Sequence, residues 1–417
     1  MSWMTSLPDY YVPQSPEKVP LTIHTFTTLL LPFLGTYLSM ACLVMLPETV
    51  FFRRLILSSV LALGFRAVLA LDLSNGDIAM AHVNQTFGLG VFMMFLRSID
   101  WATRTKPITR RIIAVNLRRD STEQPKSPTS PVPRTLGHML QDACDLTVNF
   151  RGLGWDGYLI PHIPQESRSM RSTTVFLGQT FLSLCLHACM CDTLQYCIRS
   201  FSPDTFGSPV GGTIFDASLP PIHRFVRSTM ITTFFGWSVY AIAQATYDLA
   251  TILAVLIFRQ HPSQWPPMFD APYRSASLAD LWGKRWHQHN RNILISCGAK
   301  PMAYLLGRYS GTLGAFALSG IMHDFGLRAA NRGSDFCSVG GFFLMMGVGV
   351  ILERLWVGMT GRKVCGIFGW LWTVSWVTGW GNMLVDAWLV RGAAGTPVIP
   401  APYSPIKHIT FLSNLQS

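Results

Sequence analysis

Two histidines in this chain stand where chemistry could be done. His323 lies inside the apolar run Phe316-Ala317-Leu318-Ser319-Gly320-Ile321-Met322 and is followed by Asp324. An ionisable side chain in such a run is costly at membrane depth and is a functional candidate by default. On a helix its neighbours three and four residues back are Gly320 and Ser319. Both are small, which leaves room beside the ring for a substrate. Asp324 is adjacent in sequence and points to a different face. The competing reading is a core histidine bonded to a backbone carbonyl.

His287 belongs to a second stretch. Ser277-Leu278-Ala279-Asp280 matches a capping box, so a helix is predicted to start near Leu278. It continues through Trp282, Gly283, Lys284, Arg285, Trp286, His287, Gln288, His289, Asn290 and Arg291. Asp280 and Lys284 are spaced for a supporting ion pair. Helical spacing lines up His287 with Gly283, Lys284, Asn290 and Arg291. An imidazole, an amide and two cations on one stripe suit an anionic, nucleotide-bearing donor such as a coenzyme A thioester. The competing reading is an interfacial helix whose Trp, Lys and Arg hold it at the lipid headgroups. Taken together, a neutral imidazole can draw a proton from an alcohol while a second donor holds an acyl carbonyl. That is the equipment for acyl transfer to a hydroxyl.

The elements that must position these residues are membrane helices. Only 13% of the 417 residues are charged, and mean hydropathy is +0.30. Soluble domains average roughly 25% charged residues. Apolar blocks run over 21–46, 55–71, 81–96, 173–196, 228–258, 311–325, 338–359 and 366–390. They predict an all-α, polytopic transmembrane bundle of about eight spans. Four regions follow: a polar tail (1–20), three helices (21–98), a basic loop (99–172) and a transmembrane catalytic region (173–417). Within the loop, 120–134 is rich in Pro and Ser and reads as flexible and cytosolic. The segment Arg151-Gly152-Leu153-Gly154-Trp155 reads as an interfacial turn with Trp155 as its anchor. So does the rigid turn Trp265-Pro266-Pro267-Met268-Phe269. Basic residues after the first and third blocks (Arg53, Arg54, Arg104, Lys106, Arg110) keep those loops cytosolic, which places the N-terminus and the Asp72 loop in the lumen. Gly307 and Gly311 form a small-xxx-small pair for close helix packing.

The net charge of +11 sits in short loops between apolar blocks. The positive-inside effect accounts for it, and no basic face with aromatic platforms points to nucleic acid. Cys185, Cys189, Cys191 and Cys197 surround His187 but lie along an apolar segment without paired C-x-x-C spacing, so no metal is expected. The sequon at Asn84 falls almost inside the third span, and no glycan is expected on it.

Trp282-Gly283-Lys284-Arg285-Trp286-His287-Gln288 resembles the W-G-[RK]-R-W-H-Q signature of the wax synthase-like branch of membrane-bound O-acyltransferases. Ser319-Gly320-Ile321-Met322-His323-Asp324 resembles that branch's S-G-x-x-H-D signature. The two histidines are 36 residues apart. The W-P-P-x-F turn and the R-G-L-G-W segment fit as well, and the latter, with the Pro/Ser-rich loop, is most similar to the fungal terpenoid and meroterpenoid O-acetyltransferases. The resemblance implies a helical bundle around a substrate tunnel, with acyl-CoA arriving from the cytosol. It implies His323 as general base on the acceptor hydroxyl. It also implies that His287, in a place where many relatives carry Asn, helps to polarise or position the thioester. Trp282, Lys284, Arg285, Trp286 and Gln288, with Asn290 and Arg291 added from helix geometry, make up the substrate and coenzyme A contacts. Ser319 and Asp324 flank the base. Acetyl-CoA is then a co-substrate, with no bound cofactor. The partners are a hydrophobic alcohol and membrane lipids, and the location is an internal membrane such as the endoplasmic reticulum. A long-chain donor with a fatty alcohol or sterol is the alternative. A transporter is a more remote one, lacking the inverted repeats of that class.

Overall fold

In hydrocarbon a backbone satisfies its own polar groups only as a helix or a closed barrel, and the apolar blocks of this chain form helices. The computed structural model describes residues 18–77, 80–110, 135–158, 162–208, 210–395, 397–399 and 401–408. The predicted flexible loop over 120–134 and most of the N-terminal tail lie outside these. The long helices are α1 (Ile23–Val44), α2 (Val50–Ala70), α3 (Ala81–Thr103), α4 (Leu136–Val148), α5 (Thr173–Ser200) and α6 (Pro221–Leu256). A region of short turns follows: α7 (Leu278–Asp280), α8 (Arg291–Leu294) and α9 (Lys300–Leu306). Then come α10 (Arg308–Ala329), α11 (Phe336–Thr360) and α12 (Gly366–Val390). The one sheet among the described residues is a two-residue parallel pairing, Val19–Pro20 with Leu71–Asp72.

Among the described residues, α1, α5, α6 and α11 are both long and apolar enough to cross a membrane. The helices α2, α3, α10 and α12 have 21, 23, 22 and 25 residues, which at about 1.5 Å per residue reaches across a core of about 30 Å. Their composition is more mixed. The predicted 311–325 block proves to be part of a longer helix of 22 residues, and the third block continues past Leu96 to Thr103.

The helix that carries His323 is wedged between α3 and α11, and glycines let the backbones approach. A Cβ on Gly320 would lie 2.8 Å from the Gly340 Cα of α11. The small size of Gly320 therefore serves helix packing rather than opening space for a substrate. On the other side of α10, a Cβ on Gly311 would meet the Ala299 carbonyl at 2.9 Å, and one on Gly314 the Gly298 carbonyl at 2.6 Å. The close pair is thus Gly311 with Gly314. Gly307 instead takes φ +87° at the break between α9 and α10, with no close neighbour there.

The described part of the basic loop around Trp155 is packed and turned. Gly152 and Gly154 turn the backbone at positive φ, and Trp155 is buried rather than anchored at an interface. Its indole donates to Asp145 at 2.8 Å, and the Arg110 guanidinium covers its ring at 4.5 Å. Asn84 is likewise buried. Its amide donates to Asp72 at 2.6 Å and its carbonyl oxygen accepts from the Leu73 amide at 2.8 Å, so both ends are committed to the turn after α2.

Candidate active site

The predicted helix through Trp282 and His287 does not run on. Ser277 caps it as expected, its hydroxyl accepting from the Asp280 amide at 2.9 Å. After Asp280 the chain widens into a π turn, Leu281–Arg285, closed by the Trp286 amide on the Leu281 carbonyl at 2.8 Å. Trp286 is then extended (φ −72°, ψ 151°), and His287 to Asn290 form an irregular loop. The stripe of His287 with Gly283, Lys284, Asn290 and Arg291 is therefore not formed. The π turn also changes the ion pair. Its i to i+5 register sets Arg285, not Lys284, beside Asp280, with Nε donating to the carboxylate at 2.5 Å. Arg285 also donates to the Asp270 carbonyl at 3.1 Å, which fastens the Trp265–Phe269 turn to the site. Lys284 is exposed.

The loop it creates is polar, enclosed and unsatisfied. Polar atoms of His287 (Nδ1), Gln288 (Oε1), His289 (Nδ1), Asn290 (Oδ1), Trp282 (Nε1) and Trp388 (Nε1) are buried with no partner among the described residues. Buried polar groups normally find partners, so six such atoms in the region of the two histidines mark a place built to receive a polar molecule. Gln288 is only 1% exposed, and its amide nitrogen donates to the Trp286 carbonyl at 2.7 Å, which aims the other end inward. Phe269 packs on Trp286 and His287, with centroids at 5.0 and 5.8 Å. This member of the Trp-Pro-Pro turn thus faces the site. Burial lowers the His287 imidazole to about 4, helped by His323 and Arg151, and lowers His289 to about 3. Both are neutral at pH 7.

His323 comes from α10. Its Nδ1 lies 2.7 Å from the Ser319 carbonyl oxygen. A carbonyl can only accept, so Nδ1 carries the proton, and in the neutral ring Nε2 holds a free lone pair. The ring stacks on Phe343 of α11 (4.4 Å) and Trp388 of α12 (6.3 Å), which fix its plane. It remains half-buried. The carbonyl bond of an ordinary core histidine is present, but Nε2 has no partner among the described residues. Asn290 reaches towards this helix, 3.9 Å from the Met322 sulfur.

The other predicted residues divide. Trp282 and Trp286 pack edge to face at 5.9 Å and wall the loop. Ser319 contributes its carbonyl. Asp324 is turned away, accepting from Ser334 at 2.5 Å and from the Asp335 amide at 2.7 Å, so it anchors the turn after α10. Arg291 begins α8, beyond the loop. Missed in the sequence were His289, two residues past His287 in the same motif, and Phe343 and Trp388, which come from distant helices. Near Cys185 to Cys197, His187 is bonded to the Ser183 carbonyl at 2.8 Å. Among the described residues no group of three or more His, Cys, Asp or Glu is placed to hold a metal. A groove of about 340 Å³ on α12, lined by Trp372, Ser375, Trp376, Gly379 and Trp380, includes neither histidine.

The sequence profile of the membrane bound O-acyl transferase family matches residues 265–345. An acetyltransferase of Arthrinium sp is 29% identical over 63% of this chain and 66% of its own length. One from Rhodocybe pseudopiperita is 28% identical over 54% of this chain and 60% of its own. A long-chain-alcohol O-fatty-acyltransferase of Simmondsia chinensis is 33% identical over 21% of this chain and 28% of its own. The chain thus spans less than two thirds of the length of the relatives it matches. No solved structure gives a significant match. The segment that carries both histidines is thus the part of the chain that is similar to the membrane bound O-acyl transferase family.

Proposed function

We propose that this protein transfers an acyl group from acyl-CoA to the hydroxyl of a hydrophobic small molecule. Acetyl-CoA is the favoured donor and a terpenoid-type secondary metabolite the favoured acceptor. The observation that carries the reading is the setting of His323: Nδ1 lies on the Ser319 carbonyl, which leaves Nε2 of the neutral ring a lone pair with no partner among the described residues. Nε2 takes the proton of the acceptor hydroxyl as its oxygen attacks the thioester carbonyl. The new C–O bond forms, the C–S bond breaks, and coenzyme A leaves with the proton that His323 has carried. His287, neutral at pH 7, donates to or orients the carbonyl oxygen where negative charge develops. The orphaned groups of Gln288, His289, Asn290 and Trp282 complete a set of polar contacts for the donor.

The two named acetyltransferase relatives support a short donor. The Simmondsia relative, whose name specifies a long-chain alcohol and a fatty acyl group, supports a second reading with long-chain donors and a fatty alcohol or sterol. We place the chain in an internal membrane such as the endoplasmic reticulum. The eight helices long enough to span it would surround a tunnel to His323. Membranes carrying the protein, given labelled acyl-CoA from acetyl to palmitoyl and an extract of hydroxylated terpenoids, sterols and fatty alcohols, test the reading. An organic-soluble labelled ester whose yield falls with donor length supports acetyl transfer. Yield rising with length supports the second reading. No ester from any donor refutes both and favours transport.

A further inference from the structure

Arg151 is 4% exposed, and among the described residues no carboxylate pairs with it. Its Nη1 donates to the Pro266 carbonyl at 3.2 Å and lies 3.5 Å from the Tyr247 hydroxyl, while Nη2 donates to the Pro267 and Met268 carbonyls at 2.9 and 3.4 Å. The Tyr247 hydroxyl donates to the same Pro266 carbonyl at 2.6 Å. The carbonyl of Arg151 itself accepts from Asn292 of α8 at 3.0 Å. One residue thus ties together the Trp-Pro-Pro turn, α6 and the start of α8, the three pieces that frame the histidine loop. Its Nε is buried with no partner.

Carbonyls satisfy the hydrogen bonds of a guanidinium but not its charge. A buried cation without a counter-ion carries an electrostatic cost that carbonyl dipoles only partly offset. The groups facing it are Tyr247 from α6 and His287 and His289 from the loop, with His323 beyond His287. None is an anion at neutral pH. Further out, Glu166 is bonded to Arg168, and Asp248 is bonded to Ser183 and Gln244. A fixed positive charge is therefore left uncompensated beside the loop where the reaction proposed above would develop negative charge.

We propose that Arg151 is a positioning residue of the transfer site. It clamps the 266–268 turn beneath the histidine loop, and its charge offsets the negative charge that builds on the thioester carbonyl oxygen. The inference rests on the acyl-transfer reading and goes beyond it by assigning the field of the site to one residue.

The test compares the full-length wild type with Arg151→Met and Arg151→Lys. It measures kcat and KM for acetyl-CoA across pH and the thermal midpoint in detergent. Removing the charge makes the neighbouring imidazoles easier to protonate, so the acid limb of the kcat/KM profile moves to higher pH in Arg151→Met. Its kcat falls by about tenfold to a hundredfold, with a smaller change in KM. Lysine keeps the charge but cannot span three carbonyls. Arg151→Lys therefore loses some kcat while its acid limb stays put, and this arm stands even if the methionine variant does not fold. Unchanged kcat in Arg151→Met, or an acid limb that moves equally in both variants or in neither, overturns the proposal. A wild type that makes no ester from any donor overturns the acyl-transfer reading instead.

Discussion

Glu353 offers a sharp test of how the site is held. It lies in α11 at 5% exposure, with no cation beside it among the ion pairs of the described residues. Its Oε1 accepts from the Leu278 amide at 2.6 Å and from the Trp372 indole at 3.0 Å, and its Oε2 accepts from the Ala279 amide at 2.9 Å. A carboxylate inside a long apolar helix thus caps the short helix that leads into the π turn and His287. Glu353→Ala strands two amides, that of Leu278 in a fully buried residue. Hydrogen bonds to a charged acceptor contribute about 1.5–3 kcal/mol each, so the pair predicts a loss of about 3–6 kcal/mol. That exceeds the usual cost of a point substitution. Glu353→Gln keeps one acceptor oxygen but turns an NH2 towards a donor, and falls between. The assay is the thermal midpoint in detergent, followed by tryptophan fluorescence, with ester formation measured in parallel. The alanine variant should melt well below the wild type and lose turnover. Melting and turnover like the wild type's would refute the capping argument.

Further outcomes follow from the same geometry. Gly320→Leu places side-chain atoms where the Gly340 backbone lies and should cost about 1–3 kcal/mol or more of stability, seen as a lower thermal midpoint, whereas Gly307→Ala should act through its positive φ and cost less. In a double-mutant cycle, Asp280→Asn and Arg285→Gln should be non-additive, while Asp280→Asn and Lys284→Gln should add. Lys284→Ala should raise KM for acetyl-CoA by about twofold to fivefold with kcat unchanged, and added salt should shrink the difference. His287 and His289, lowered to about 4 and about 3 in the fold, return to about 6.5 when unfolded. Between those values the unfolded chain binds more protons, so their contribution is intact above about pH 6.5 and is lost as pH falls through about 4 for His287 and about 3 for His289. Melting against pH should show this loss, and it should be smaller in His289→Gln.

What the sequence revealed was what local pattern can encode. The helical blocks follow from apolar runs, and His323 announced itself as an ionisable group among them. The π turn at Leu281–Arg285 was not legible, because one wider turn leaves no mark on residue type and the capping box before it is ordinary. That single turn moved the ion pair from Lys284 to Arg285 and broke the stripe through Asn290 and Arg291. Trp155 and Phe269 look interfacial in the sequence because a lone aromatic beside glycines or prolines carries no sign of its facing. Only the tertiary neighbours Asp145, Arg110 and Trp286 decide it. The size of Gly320 was legible, but its use was not, since Gly340 is on another helix. Phe343, Trp388 and Arg151 reach the site from distant parts of the chain, and no periodicity could bring them together.

The most direct measurement is transfer of labelled acetyl from acetyl-CoA to a hydroxylated terpenoid by the wild type and by His323→Ala, with folding of both checked by thermal melting. The account predicts an ester from the wild type and a loss of at least about a hundredfold in the variant at an unchanged midpoint. Equal ester from a folded His323→Ala would contradict it.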